Sequence, residues 1–281
     1  MALVTNHLIL VVIYKQAILE SLTLQSLFKC QAFLAESSLV IWDNSPSPQP
    51  VPDSCRDTFA QVHYHHTPDN KALSYIYNCI INTYSEHDLL VLLDQDSNFD
   101  ELYFKEIADA AKRHPDICLF LPLVKSGSTI VSPGNYFFIK GSHWTKERSG
   151  LVDTEHLVAI NSGMVIRFSY LQTTFDGYDE RLNFYGVDIY FMRHFAQHQS
   201  HAFVLPYVIQ HDSALLSTTE SLEKRLFRFK DRLNAWKLLH EGSLVRSLLV
   251  RLYSIFVAAK LSLRYRSLTF LGAGVKHAFS R

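Results

Sequence analysis

An α/β fold on a mostly parallel, mixed sheet is what this chain predicts, and two features predict it. The first is alternation: through the first half, short apolar runs bounded by turn residues alternate with segments of helical spacing. The second is placement. Tyr14, Asp43-Asn44 and Asp94-Gln95-Asp96 all fall at the C-terminal ends of the apolar runs, where open α/β sheets bind their ligands. With 281 residues, 48% of them hydrophobic, the chain can fill one large core with an appendage.

Leu8 to Tyr14, apolar and β-branched, reads as the first strand, and Ala17 to Phe33 has helical spacing through Ile18, Leu22, Leu27 and Phe33. Leu39 to Trp42 is a second buried strand, stopped by Asp43-Asn44-Ser45-Pro46 and followed by a Pro-rich loop. Gln61 to His65 is the third strand, Leu73 to Tyr84 a helix, and Leu89 to Leu93 a strand apolar on both faces. Asp100 to Arg113 is a helix with Asp100 available as N-cap and Glu101 in its first turn. Ile117 to Val124 is the next strand. Beyond it, Ser126 to Gly150 reads as loop with strand-like Tyr136 to Ile139 inside, and Asn161-Ser162-Gly163 is a turn or bulge between apolar stretches. Asp176 to Glu180 is a turn, Val187 to Ala196 a helix, and Phe203 to Ile209 a strand ending at Gln210-His211-Asp212. Thr218 to His240 reads as one helix, and Ser243 to Phe270 mixes apolar and basic residues. The expected division is a body over 1–217, with halves 1–124 and 125–217, and a basic helical extension over 218–281.

Formal net charge is zero, so nothing in the overall charge suggests nucleic acid. From Ser221 onward, however, Lys and Arg far outnumber the three acids Glu223, Asp231 and Glu241. That asymmetry suggests an acidic surface partner such as lipid headgroups; a solvated helical face is the plainer alternative. Cys30, Cys55, Cys79 and Cys118 lack Cys-x-x-Cys spacing, and all but Cys55 sit among apolar residues, which fits a reducing, cytosolic setting. The N-terminus does not read as a signal peptide, and the longest apolar candidate span, Leu248 to Leu263, is cut by Arg251 and Lys260.

The stretch from Asp94 to Asp100 carries oxygen-bearing side chains at alternate positions, at Asp94, Asp96, Asn98 and Asp100. A calcium loop would need Gly where Phe99 stands and Glu where Lys105 stands. A Gly-rich phosphate cradle with its Lys follows none of the strands. An Asp-x-Asp pair at a strand end fits a hard divalent cation bridging to a diphosphate; a capping turn would use the same residues differently. His63, His65 and His66 read as strand and loop surface, since no acid or Cys near them completes a metal site.

Several ordered pieces resemble glycosyltransferase family 2, with its Rossmann-like GT-A fold, and within it the rhamnosyltransferase-like branch of bacterial surface-polysaccharide enzymes. They are Val11-Val12-Ile13-Tyr14, Val40-Ile41-Trp42-Asp43-Asn44-Ser45, Leu92-Leu93-Asp94-Gln95-Asp96-Ser97, Ile160-Asn161-Ser162-Gly163, and Gly177-Tyr178-Asp179-Glu180 followed by Phe184-Tyr185-Gly186-Val187-Asp188-Ile189. They span about residues 8 to 212. The resemblance implies an inverting, metal-dependent sugar transfer from a nucleotide-diphosphate donor, with rhamnose from dTDP-rhamnose as the expected sugar, to a lipid-linked surface glycan. It implies Tyr14, Asp43, Asn44, Asp94 and Gln95 around the nucleotide, and Asp96, Asp94 and His211 around Mn²⁺ or Mg²⁺, with Asp212 the neighbouring alternative to His211. It implies Asp188 as catalytic base, with Asn161, Ser162, Gly163, Asp179 and Glu180 around the acceptor and sugar. The second acid that many relatives carry two residues after the base is Tyr190 here. A galactofuranosyl or other hexosyl transferase, a non-catalytic nucleotide-sugar-binding subunit and a nucleotidyltransferase are the rival readings. A cytoplasmic protein resting on the inner membrane face through its basic C-terminal helices is the expected setting.

Overall fold

The computed structural model describes residues 6–211 and 221–279. The elements are β1 (His7–Ile13), α1 (Leu22–Lys29), α2 (Gln31–Leu34), β2 (Ser38–Asp43), α3 (Asp53–Thr58), β3 (Gln61–His66), α4 (Leu73–Thr83), β4 (Leu89–Asp94), β5 (Ser97–Asn98), α5 (Glu101–Arg113) and β6 (Leu119–Ser126). There follow β7 (Thr129–Ser132), β8 (Gly134–Phe137), β9 (Lys140–His143), β10 (Gly150–Asp153), β11 (Leu157–Val158), β12 (Met164–Arg167), α6 (Phe168–Thr173), α7 (Val187–His198) and β13 (His201–His211). The C-terminal helices are α8 (Leu222–His240), α9 (Leu244–Tyr265) and α10 (Thr269–Phe279).

The main sheet runs β10-β13-β6-β12-β4-β1-β2-β3, with β5 pairing β13 and β7 pairing β6. The β4-β1-β2-β3 half is parallel throughout, and β12 enters antiparallel between β4 and β6. Alternation within the buried strands splits the core in two. Leu90 and Leu92 face the layer with α4 and α7, while Leu89, Val91 and Leu93 face the layer with α1 and α5. Asp100 caps α5, its carboxylate accepting from Leu102 N at 3.1 Å.

Four segments depart from the sequence reading. The helix expected over 17–33 is broken into a 3-10 turn, Ile18–Glu20, and the short helices α1 and α2. Ile18 N donates to Gln49 Oε1, and Ser21 both caps α1 and donates to Gln95 O, so loop contacts dictate the backbone here. The segment 126–150, read as loop around strand-like Tyr136 to Ile139, carries β8 over part of that run and β7 and β9 besides; β9 reads Lys-Gly-Ser-His and is exposed throughout, so no alternation betrays it. The C-terminal stretch forms α9 and α10, separated where Arg266 takes a left-handed φ of 50°. Finally, the basic residues after Ser221 are not all surface: Arg232 packs beside the Phe229 and Trp236 rings, 5.8 and 5.4 Å from their centroids. The last three helices form a third small core around Phe229, Trp236, Val250, Ala258 and Phe270. No helix among the described residues is long and apolar enough to cross a membrane.

Candidate active site

The C-terminal ends of β1, β2 and β4 lie side by side, which gathers the sequence candidates on one rim. Gln95, just past β4, accepts a hydrogen bond from Tyr14 N at 2.7 Å. Ser21 Oγ and Thr23 Oγ1 donate to the carbonyls of Gln95 and Asp94. This turn is therefore fixed from below by α1, and Asp94 and Asp96 are presented half-buried.

Asp43 and Asn44 are buried more deeply than sugar-nucleotide contacts at an open rim would be. Asp43 Oδ1 accepts from Ser45 N at 2.9 Å, closing an Asx turn. Its Oδ2 accepts from Tyr64 Oη at 2.8 Å and Gln49 Nε2 at 3.2 Å. A carboxylate has about four acceptor positions, so one remains. Asn44 donates to Lys71 O at 3.0 Å and accepts from Thr67, which itself accepts from Trp42 Nε1 at 2.9 Å. Both side chains hold the loops that wall the pocket. His65 and His66 are also in structural use, more inward than the surface expected of them: His65 stacks on Trp42 and bonds Tyr84 Oη at 2.9 Å, and His66 bonds Ser45 O at 2.8 Å.

Beside the end of β4 stands Asn161-Ser162-Gly163, immediately before β12, with Gly163 N donating to Leu92 O at 2.7 Å. Ser162 Oγ donates to Asp94 Oδ2, so the two motifs form one unit. Gly163 has φ +80°, and an added Cβ would lie 2.5 Å from Ile209 Cδ1 and 2.7 Å from Pro122 Cγ, so both conformation and space require glycine. Asn161 lies beside Tyr77, and its Oδ1 is buried and has no partner. An orphaned buried oxygen at such a place calls for a ligand or water.

Asp188 lies in the first turn of α7, behind Gly186 at φ +83°. Its Oδ1 accepts from Ile189 N at 2.8 Å. Burial pushes its carboxyl up from the ordinary 3.8 to about 6, against the backbone bonds that favour the anion, and the Asp94 charge adds to the rise. Tyr77, Tyr178 and Tyr136 lie within electrostatic reach of it, each with its hydroxyl pushed above the ordinary range by burial, Tyr136 to about 12. The Tyr136 hydroxyl is buried without a hydrogen-bond partner. The sequence reading missed these three tyrosines as a group; Tyr136 stood in the strand-like run, but nothing local tied it to Asp188.

Two candidates point elsewhere. Asp179 pairs with Arg181, Oδ2 to Nη2 at 2.7 Å, and Arg181 continues to Glu241 at 2.9 Å. The Arg181 hydrogen bonds hold the Asp179 carboxyl below the usual carboxylate range. Glu180 is exposed, 3.4 Å from Asn78 Nδ2. Asn78 pins the loop by donating to Tyr178 O at 2.9 Å and accepting from Tyr178 N at 2.7 Å. For His211, the backbone at the end of β13 pairs with Ser97, next to Asp96. Its side chain, and all of Asp212, lie outside the described residues. Among the described residues no three His, Cys, Asp or Glu side chains converge to hold a metal ion. Asp94 and Asp96 supply two carboxylates, the Ser162 hydroxyl bonds Asp94, and the neighbouring Asn161 has an orphaned Oδ1. An all-oxygen donor set of this kind fits Mg²⁺ or Mn²⁺ that completes its shell from a ligand.

A further residue, unforeseen as part of the site, comes from α8. The buried Asp231 carboxylate accepts from Asn183 Nδ2 at 2.9 Å, Phe184 N at 3.1 Å and Tyr185 N at 2.9 Å, fixing the loop that leads into Asp188.

No protein-family model and no curated protein matches the sequence. Solved structures do match in shape. S. aureus TarS aligns at TM-score 0.56 and 14% identity, over 96% of this chain and 55% of that one. Its fragment 1–349 aligns at 0.52 and 12%, over 96% and 90%. GalNAc-T7 crystallised with UDP, GalNAc and Mn²⁺ aligns at 0.55 and 12%, over 74% of this chain and 44% of that one. The chain thus spans about half the length of GalNAc-T7 and of the longer TarS structure. With the strand order and the C-terminal helices described above, these likenesses establish the GT-A fold.

Proposed function

We propose that the protein is an inverting, metal-dependent glycosyltransferase that moves a sugar from a nucleotide-diphosphate donor to a hydroxyl of a glycan acceptor. The observation that carries this reading is the pairing of Asp94, bound to Ser162 at the end of β4, with Asp188, raised to about 6 at the start of α7 and sensing the Asp94 charge. One carboxylate serves the donor side and a more basic one serves as proton acceptor. In the reaction the acceptor oxygen bonds to the anomeric carbon, the bond from that carbon to the diphosphate oxygen breaks, and the hydroxyl proton passes to Asp188. A carboxyl near 6 is mostly ionised at neutral pH yet takes a proton more readily than an ordinary one. A single base on the face opposite the leaving group gives inversion.

Asp96 and Asp94, with His211, are the residues we assign to Mn²⁺ or Mg²⁺; the cation supplies charge neutralisation at the diphosphate when bound. Tyr14 and Gln95 flank the nucleotide. Asn44 and the buried Asp43 shape the wall beside the base. Asn161, Ser162 and Gly163 wall the sugar and acceptor pocket, while Asp179 and Glu180 act on its loop. UDP and Mn²⁺ in the GalNAc-T7 structure support a nucleotide donor and a cation. For the donor sugar we keep rhamnose from dTDP-rhamnose, with galactofuranose or another hexose as the near rival. For the acceptor we keep a lipid-linked bacterial surface glycan at the cytoplasmic membrane face. The reading is tested by binding and hydrolysis of a nucleotide-sugar panel with Mn²⁺ or Mg²⁺. Asp96→Ala should lose metal-dependent binding, and Asp188→Asn should bind without turnover. If no nucleotide sugar binds and metal changes nothing, the proposal is wrong; binding without turnover in the wild type would favour a non-catalytic binding subunit.

A further inference from the structure

We propose that the exposed face of α9, together with the tip of the β8–β9 hairpin, docks on an anionic lipid bilayer. This goes beyond the transfer reaction and does not depend on it. α9 turns Val250, Ser254, Ala258 and Ser262 inward, where Ala258 meets Gly274 of α10 so closely that an added Cβ there would lie 2.4 Å away. The opposite face should then be polar, and it is not. Taking about 100° per residue, Val245, Leu252, Phe256 and Leu263 fall within about 40° of one another on the outward side. They are 57% to 81% exposed. Leu248, 58% exposed, extends the stripe. Isolated exposed apolar residues are ordinary, but a contiguous row on a helix face marks an interface.

The hairpin adds to the same surface. Phe137, at its tip, is 72% exposed. Phe137, Phe138 and Ile139 line a groove of about 510 Å³ with Leu249, Leu252 and Phe256 of α9.

Charge decides what covers this surface. After Glu241 the chain has seven Lys and Arg and no Asp or Glu. On α9, Lys260 stands about 60°, and Arg246 and Arg264 about 100°, to one side of the apolar stripe; Arg251 stands about 120° to the other. All four are exposed. Long basic side chains flanking an apolar stripe let the stripe enter the acyl boundary while the cations reach anionic headgroups. A second copy of the chain across a two-fold axis would instead set like charges against each other. Tyr136, next to Phe137 on β8, has a buried hydroxyl within electrostatic reach of Asp188.

The test is co-sedimentation of the full chain with vesicles of phosphatidylcholine alone or mixed with phosphatidylglycerol. Wild type should partition to the anionic vesicles at least about tenfold more strongly, and raised salt should weaken it. The pair Leu252→Asp and Phe256→Asp should lower partitioning by about tenfold or more. The set Arg246→Gln, Lys260→Gln and Arg264→Gln should abolish the preference for phosphatidylglycerol. All these residues are solvent-exposed, and unchanged circular dichroism confirms that each variant folds. Sedimentation equilibrium without lipid supplies the competing outcome. A dimer that Leu252→Asp and Phe256→Asp disperse, with no vesicle binding by wild type, would overturn the proposal in favour of self-association. Vesicle binding unaffected by both sets would overturn it as well.

Discussion

Replacing Asp188 by Asn should stabilise the protein while stopping turnover. The carboxyl is raised from 3.8 to about 6, chiefly by burial. Each pKa unit corresponds to about 1.36 kcal/mol, so the ionised side chain costs the folded state about 3 kcal/mol at pH 8. The sign follows from linkage. Below 3.8 both folded and unfolded states are protonated and no cost arises; between 3.8 and about 6 the folded state binds more protons, so stability falls as pH rises and then levels off. Asn bears no charge and keeps an oxygen to accept from Ile189 N. The variant should therefore gain about 3 kcal/mol at pH 8, about half of that near pH 5, and only about 0.5 kcal/mol at pH 4, vanishing below pH 3. Urea unfolding across that range reads this directly, and in thermal unfolding the full gain corresponds to about 6–12 °C. A gain of equal size at pH 4 and pH 8, or a loss at pH 8, would refute the reasoning.

In the proposed reaction Asp188 must be ionised to act, so kcat/KM should rise with pH through about 6 and then reach a plateau, as a pH–rate profile would show. Gly163→Ala should cost about 2 kcal/mol or more in chemical denaturation, because φ is +80° and the new Cβ would strike Ile209 and Pro122. Asp231→Ala should lower stability by about 2–4 kcal/mol, since it strips three hydrogen bonds from a buried loop. It should also depress turnover more than nucleotide binding, because that loop places Asp188 and not the donor rim. Tyr136→Phe should leave unfolding free energy within about 0.5 kcal/mol of wild type or slightly above, since the buried hydroxyl has no partner to lose; a lowered kcat in the same variant would mark that hydroxyl as an acceptor contact.

What the sequence reveals here depends on how local the controlling interaction is. β4 announces itself because burial on both faces removes every polar residue before Asp94. Asp100 is recognisable as a cap because the bond to Leu102 spans two residues. Gly163 is legible as a constrained glycine, although only the fold reveals Ile209 and Pro122 as the reason. The depth of Asp43 was not legible: its partners Tyr64 and Gln49 come from β3 and the Pro-rich loop, and either an Asx turn or a ligand contact suits the same Asp-Asn-Ser. The hairpin of β8 and β9 was partly hidden for a different reason. The strand-like run from Tyr136 marks part of β8, but β9 is exposed throughout and carries no periodicity, and nothing local shows that Tyr136 comes within electrostatic reach of Asp188.

The role of α8 is the clearest case of a non-local cause. Read as sequence, residues from 218 onward form a basic appendage to a body ending at 217. In the fold, Asp231 collects the amides of Phe184 and Tyr185, and Gly186 sits so close to α8 that an added Cβ would lie 2.7 Å from the Ala235 Cβ. Arg193, on α7, donates to Leu239 O. The same helix therefore holds the loop before Asp188, the turn at Gly186 and the body of α7. Its far side packs through Phe229 and Trp236 into the small core that orients α9. A single helix thus joins the group proposed to remove the acceptor proton to the surface proposed to meet the bilayer. α8 holds both sets of neighbours in place, while nucleotide-sugar turnover and vesicle binding read the two ends separately.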